Sequence, residues 1–165
     1  MKPARDSLIK KIGTGFAYVG LWELAWWARR RLLRGNVYEC ASRDAVAAGR
    51  SLVVVGAPDR GATGGYGCGD VTVDIASSAC PVTLRADITK KLPFEDDSVT
   101  VFVSCVLEYV DDAEVAYNEL RRVAGEHLFL VRVEPWTLAA YLYPGAKRTL
   151  PAYWAAGCEK LVEQA

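Results

Sequence analysis

Residues 99–133 read VTVFVSCVLEYVDDAEVAYNELRRVAGEHLFLVRV, and their order decides the fold. The run 99–107 is apolar and rich in β-branched residues, which suits a strand buried on both faces. A helix follows it. Asp111 is placed to act as its N-cap, with Glu114 three residues on completing a capping box. Ala113, Ala116, Leu120 and Val123 recur at helical spacing, and Gly125 stands where such a helix stops. A second apolar run, 127–133, comes next. Strand, helix and strand in this order make the crossover unit of a parallel sheet.

Upstream, three more short runs have strand character. Residues 51–56 (SLVVVG) form a β-branched block, 70–74 (DVTVD) end in Asp74, and 82–87 (VTLRAD) end in Asp87. Nearly continuous apolar strands joined by a crossover helix imply a parallel sheet covered on both faces. A further helix is expected over 135–143, with Pro135 at its first turn and Pro144-Gly145 closing it.

Residues 86–123 carry a longer pattern. Asp87, Leu92-Pro93-Phe94, Asp96-Asp97, the strand from Val99, Leu107-Glu108-Tyr109-Val110, Asp111-Asp112 and Glu119-Leu120-Arg121-Arg122-Val123 follow one another over about 40 residues. This order resembles the class I S-adenosylmethionine-dependent methyltransferases, in their type-11-like branch. The resemblance implies an α/β, Rossmann-like fold: a mostly parallel sheet of about five strands in the order 3-2-1-4-5, flanked by helices. It implies S-adenosylmethionine as cofactor. It assigns Asp74 to the ribose hydroxyls, Asp87 to the adenine amino group, and Leu92 and Phe94 to the walls around the adenine. Gly56 stands at the first-strand turn, and Glu108 and Tyr109 are the catalytic candidates. An acid closing the second strand suits this work, because ligands of open α/β sheets bind outside the carboxyl ends of the strands. Taken singly, Asp74 and Asp87 also read as ordinary strand-end turn residues.

Some positions depart from the family pattern. The first strand, Leu52-Val53-Val54-Val55, holds no acid, and Pro58 removes an amide from the turn after it. Tyr109 stands where the family has histidine. Little chain follows the fifth strand, so the sequence reads as a divergent and shortened member. The stretch GATGGYGCGD, 61–70, looks like a nucleotide-binding loop, yet it leads into the second strand and opens no helix. It is therefore expected to be a mobile loop or a cofactor lid, in place of the family's first helix. The misplaced glycines also disfavour a nicotinamide-dependent enzyme.

The first 35 residues differ from the rest. They carry net charge +6, and residues 36–165 carry −6. An acidic body is a poor partner for nucleic acid. Residues 12–28 (IGTGFAYVGLWELAWWA) hold one charge, Glu23, between Lys10-Lys11 and Arg29-Arg30-Arg31. Gly13, Ala17 and Gly20 form a small-residue stripe that favours close helix approach. Trp22, Trp26 and Trp27 lie near the arginines, as in an interfacial belt. The segment is read as an apolar helix that contacts a membrane or packs on protein, within the molecule or on a partner. Two regions follow: 1–35 as this helix and 36–165 as the methyltransferase-like domain. No small-residue cleavage site follows the segment, which disfavours a signal peptide.

The five cysteines are scattered, with no C-x-x-C pair, and His127 is the one histidine. No metal site is expected. Scattered thiols suit a reducing, cytoplasmic-side location. The functional expectation is a methyltransferase-like protein acting on a small or membrane-near acceptor. The alternative is a non-catalytic methyltransferase fold that serves as a structural subunit of a membrane-associated or large assembly, with an oligomer as one form of it.

Overall fold

The computed structural model describes residues 16–56, 66–75 and 83–131. The helix expected over 135–143, residues 12–15 of the apolar head and Gly61 to Gly65 lie outside them. The chain order is α1 (Phe16–Ala48), β1 (Ser51–Val55), β2 (Val71–Asp74), β3 (Leu84–Arg85) and β4 (Val99–Ser104). A 3-10 turn (Leu107–Tyr109), α2 (Ala113–Ala124) and β5 (Leu128–Val131) follow. The strands form one sheet in the order β3-β2-β1-β4-β5, and every pairing is parallel. This is the expected Rossmann-like α/β architecture.

The period-2 alternation of a strand splits the core between two faces. Val53, Val55, Val101, Val103, Leu128 and Leu130 pack with Ala113, Ala116, Leu120 and Val123 of α2. Leu52, Val54, Phe102, Phe129 and Val131 pack with Val37, Ala41 and Ala45 of α1. All six residues of β4 are buried, which is why its sequence shows no polar alternation beyond Thr100 and Ser104. Full burial of a Val, Leu or Phe side chain stabilises by about 1.5–3 kcal/mol, so these two layers dominate the stability of the fold.

Several boundaries differ from the sequence expectation. The helix expected over 12–28 is described from Phe16 onward and is part of a longer one. α1 runs unbroken through residue 35 and covers one face of the sheet with its second half. Val37, Ala41 and Ala45, spaced by four, carried that signal. β3 pairs only at Leu84 and Arg85, because it borders β2 alone, at the sheet's edge. β4 stops at Ser104 instead of continuing to Leu107, because Cys105 takes a left-handed conformation with φ of 54°. The N-cap of α2 is Asp112, not Asp111, and its Oδ1 accepts from the Val115 amide at 3.2 Å. That register puts Val115, not Glu114, at the third helical position, so no capping box forms. Cys68 is disulfide-bonded, whereas Cys40 and Cys105 are free thiols. Scattered spacing did not foretell that bond, and reducing compartments do not favour it. No helix of the described residues is long and apolar enough to cross a membrane.

Polar contacts fix the direction of α1. Near the start of β4, Thr100 Oγ1 donates to Asp44 Oδ2 at 2.9 Å, and His127 Nδ1 lies 2.7 Å from the same oxygen. Past the end of β4, Arg34 Nη2 donates to Cys105 Sγ at 2.9 Å. α1 therefore runs antiparallel to the strands, and residues before Arg34 continue beyond the carboxyl edge of the sheet. Removing Asp44 leaves the fully buried Thr100 hydroxyl without its acceptor. Asp44→Ala is expected to cost about 1–3 kcal/mol, and Asp44→Ala with Thr100→Val less than that, because the donor is then gone too. Urea midpoints of the two variants check this.

Candidate functional site

The sheet order places the switch point between β1 and β4, where neighbouring strands send their connections in opposite directions. Crevices at such points, outside the carboxyl ends, are where α/β sheets take ligands. Gly56 ends β1 there with φ of 87°, a conformation for which glycine is suited. A Cβ on it would stand 2.6 Å from Val106 Cγ2, so the residue also lets the two strand ends close together. Its amide donates to the Val73 carbonyl at 2.8 Å, which sets Gly56 beside the next residue, Asp74.

Asp74 is half-buried at the end of β2, and the Ala86 amide donates to its carbonyl at 3.1 Å. That bond carries the chain from β3 to Asp87 on the same edge. Thr89 donates to Asp87 Oδ1 twice, from its amide at 2.9 Å and its hydroxyl at 2.7 Å. The amide bond first, and the hydroxyl after it, hold the Asp87 carboxyl below the usual carboxylate range. Asp87 is thus an anionic acceptor at neutral pH. Asp87, Asp74, Gly56 and the 3-10 turn form a row along the edge from β3 to β4. Three strand spacings make it about 14 Å long.

The 3-10 turn carries the other two nominated residues. Tyr109 is half-buried, whereas Glu108 is buried at 2% exposure. Beside them lie buried Arg34, brought by α1, and Cys105, whose thiol is pushed up by burial, opposed by the Arg34 charge and reinforced by that of Glu108. The sequence marked Arg34 as one of the basic residues flanking the apolar head and gave it no role at the site. Its neighbourhood depends on where α1 docks, and local pattern does not encode that.

Leu92 and Phe94 have different surroundings. Leu92 is 2% exposed within the α2-side core, and Phe94 is half-buried against it. The turn they share is gripped by α2. The Leu92 amide donates to Glu119 Oε1 at 2.6 Å. Arg122 donates to the Leu92 carbonyl at 3.2 Å and the Phe94 carbonyl at 3.0 Å. Arg122 also pairs with Glu119 and with Asp96, each at 2.6 Å. Through Glu119 and Arg122, α2 thus holds the Leu-Pro-Phe turn in place.

The glycines of the 61–70 stretch that are described lie elsewhere. Asp70 Oδ2 accepts from the Leu52 amide at 2.8 Å, at the amino edge of the sheet. A Cβ on Gly69 would meet the Leu52 carbonyl, and one on Gly67 would come within 2.9 Å of the Tyr38 hydroxyl. Tyr38 in turn donates to the Cys68 carbonyl at 2.7 Å and packs edge-on against Phe102. Gly67 and Gly69 therefore serve close packing against α1 and β1, at the end of the sheet opposite the candidate site.

Residues 67–127 match the family model for the methyltransferase domain. Over this span the chain is similar to methyltransferase domains. The match covers β2 through α2, the part that holds Asp74, Asp87, the Leu-Pro-Phe turn and its Glu119–Arg122 clamp. Proteins of this family generally use S-adenosylmethionine. No curated protein and no solved structure matches the chain.

The clamp gives a pH-dependent prediction. Arg122 first, and the Leu92 amide after burial's opposing effect, hold Glu119 below its ordinary 4.5. A lowered carboxyl contributes stability above the unfolded-state value and loses it as pH falls through the folded one. Glu119→Ala is expected to cost about 1–3 kcal/mol at neutral pH. The difference from the parent should shrink steadily as pH is lowered beneath 4.5. Denaturant titrations of both proteins at a series of pH values measure it.

Proposed function

We propose that the chain transfers a methyl group from S-adenosylmethionine to a small or membrane-near acceptor. The observation that carries this reading is the row of residues along one sheet edge, joined by the Gly56-to-Val73 and Ala86-to-Asp74 backbone bonds. In it, Asp74 accepts the ribose hydroxyls and ionised Asp87 accepts the adenine amino group. Phe94 walls the base, with buried Leu92 supporting the turn from within. Gly56 leaves the space at the switch point open to the methionine portion. Bound there, the donor supplies a methyl carbon made electrophilic by its sulfonium. Tyr109 and Glu108, both on the 3-10 turn after β4, are the catalytic candidates on this reading. Such a transfer needs alignment more than acid or base chemistry, so a site with few titratable groups suits it.

A second reading has one observation behind it. Gly67 and Gly69 pack at the amino edge and leave the donor site without a glycine-rich loop of the described residues. On that reading the fold is a non-catalytic structural subunit.

Calorimetric titration of the full chain with S-adenosylmethionine and S-adenosylhomocysteine separates the two. Saturable binding is expected, weakened about tenfold or more in Asp74→Ala and Asp87→Ala, each of which loses a charged acceptor. Circular dichroism melts control for folding. Absence of saturable binding at millimolar ligand would overturn the catalytic reading and leave the structural one.

A further inference from the structure

Between the segment after Asp87 and α2 lies a recess of about 420 Å³. Thr89, Lys90 and Lys91 form one wall, and Asn118, Glu119 and Arg122 the other, with Val115 beside them. The fold places both walls. Ile88 and Leu92 are buried in the α2-side core, so the residues between them are held against α2. On α2, Val115, Asn118, Glu119 and Arg122 recur three and four apart and share one face of the helix, next to the buried stripe of Ala116, Leu120 and Val123.

The walls carry three cations and one acid, an excess of two positive charges, within a body whose residues 36–165 have net charge −6. Arg122 has no donor left for a ligand. All of its N–H groups are spent on Glu119, Asp96 and the Leu92 and Phe94 carbonyls. It is a fixed positive wall. Thr89 is likewise committed, because its hydroxyl donates to Asp87. Lys90, Lys91 and Asn118 differ. Among the described residues neither lysine joins an ion pair, and the Asn118 carboxamide makes no hydrogen bond. Two ammonium groups and one amide NH2 therefore line the recess with their donors unspent.

We infer that this recess binds a small phosphate monoester. Charge selects the group. A phosphate ester carries about −1.5 to −2 at neutral pH and offers three strong acceptor oxygens. These match the excess charge of the walls and the unspent donors of Lys90, Lys91 and Asn118. A carboxylate, with a single charge, leaves one cation unmatched. Val115 is 45% exposed and supplies an apolar contact for the organic part of the ester. The volume falls at the small end of the range for small-molecule sites, about 300–1,000 Å³, which favours a compact ligand over a length of polymer. Binding here does not depend on the donor reading, so the two stand or fall separately.

Calorimetric titration of the full chain with phenyl phosphate tests it, at low salt and at a mildly alkaline pH where the ester is a dianion. Phenyl sulfate, of the same shape with one charge, is the control. Saturable one-to-one binding of the phosphate is expected, about tenfold or more tighter than that of the sulfate and weakened by added salt. Lys90→Gln with Lys91→Gln should weaken it about tenfold or more. Val115→Asp sets an acid in the recess and should weaken it as well. All three side chains are exposed, so the thermal melts of these variants should match that of the parent. Absence of saturable phenyl phosphate binding overturns the inference, as does binding that phenyl sulfate equals or that neither variant weakens. A phosphoserine peptide that binds where phenyl phosphate does not overturns it too, and gives the recess to a phosphorylated protein partner.

Discussion

The pairing of β1 with β4 is the constraint from which the rest follows. Val53, Val54 and Val55 lie in register with Val101, Phe102 and Val103, and all six are buried. Strands without an exposed face must hydrogen-bond on both sides and be covered on both faces. β2 and β5 supply the outer ladders, and α1 and α2 the covers. Parallel pairing then sends every strand's carboxyl end to the same edge. The site is a consequence of that geometry, since Gly56, Asp74 and Asp87 come from separate strands.

The edge is shaped by contacts from behind as much as by the strands. Glu119 and Arg122 grip the backbone of the Leu92–Phe94 turn, using a carboxylate for its amide and a guanidinium for two carbonyls. Charge-assisted bonds of this kind are stronger than neutral ones and fix orientation. The direction of Arg122's shift agrees, since Glu119 and then Asp96 raise it above its ordinary value. The turn is thus a fixed wall, anchored to the helix that crosses over from β4 to β5.

α1 joins two roles that the sequence had separated at residue 35. Its second half covers the sheet through Val37, Ala41 and Ala45 and is pinned by Asp44 at one end and Arg34 at the other. In its first half, Leu24 and Leu32 are exposed. Gly67 and Gly69 contribute to the seating of α1, because the chain can pass under Tyr38 and beside Leu52 only without a Cβ at those positions.

The sequence by itself determined the strand–helix–strand unit, the parallel sheet and the family resemblance. These rest on local periodicity and on runs that keep both faces apolar, which are properties of neighbouring residues. It also marked Asp74 and Asp87, since an acid that ends an apolar run is visible along the chain. The cap at Asp112 was missed by one residue, because adjacent aspartates offer the same chemistry and only the helix register chooses between them. Tertiary structure decided the rest. It showed that Gly67 and Gly69 belong to the amino edge, that Glu119 and Arg122 hold the Leu-Pro-Phe turn, and that Arg34 reaches Cys105. Each of these joins residues far apart in the chain. Such contacts are set by the packing of whole elements, and side-chain pattern along the sequence carries no record of which distant surface a residue will meet.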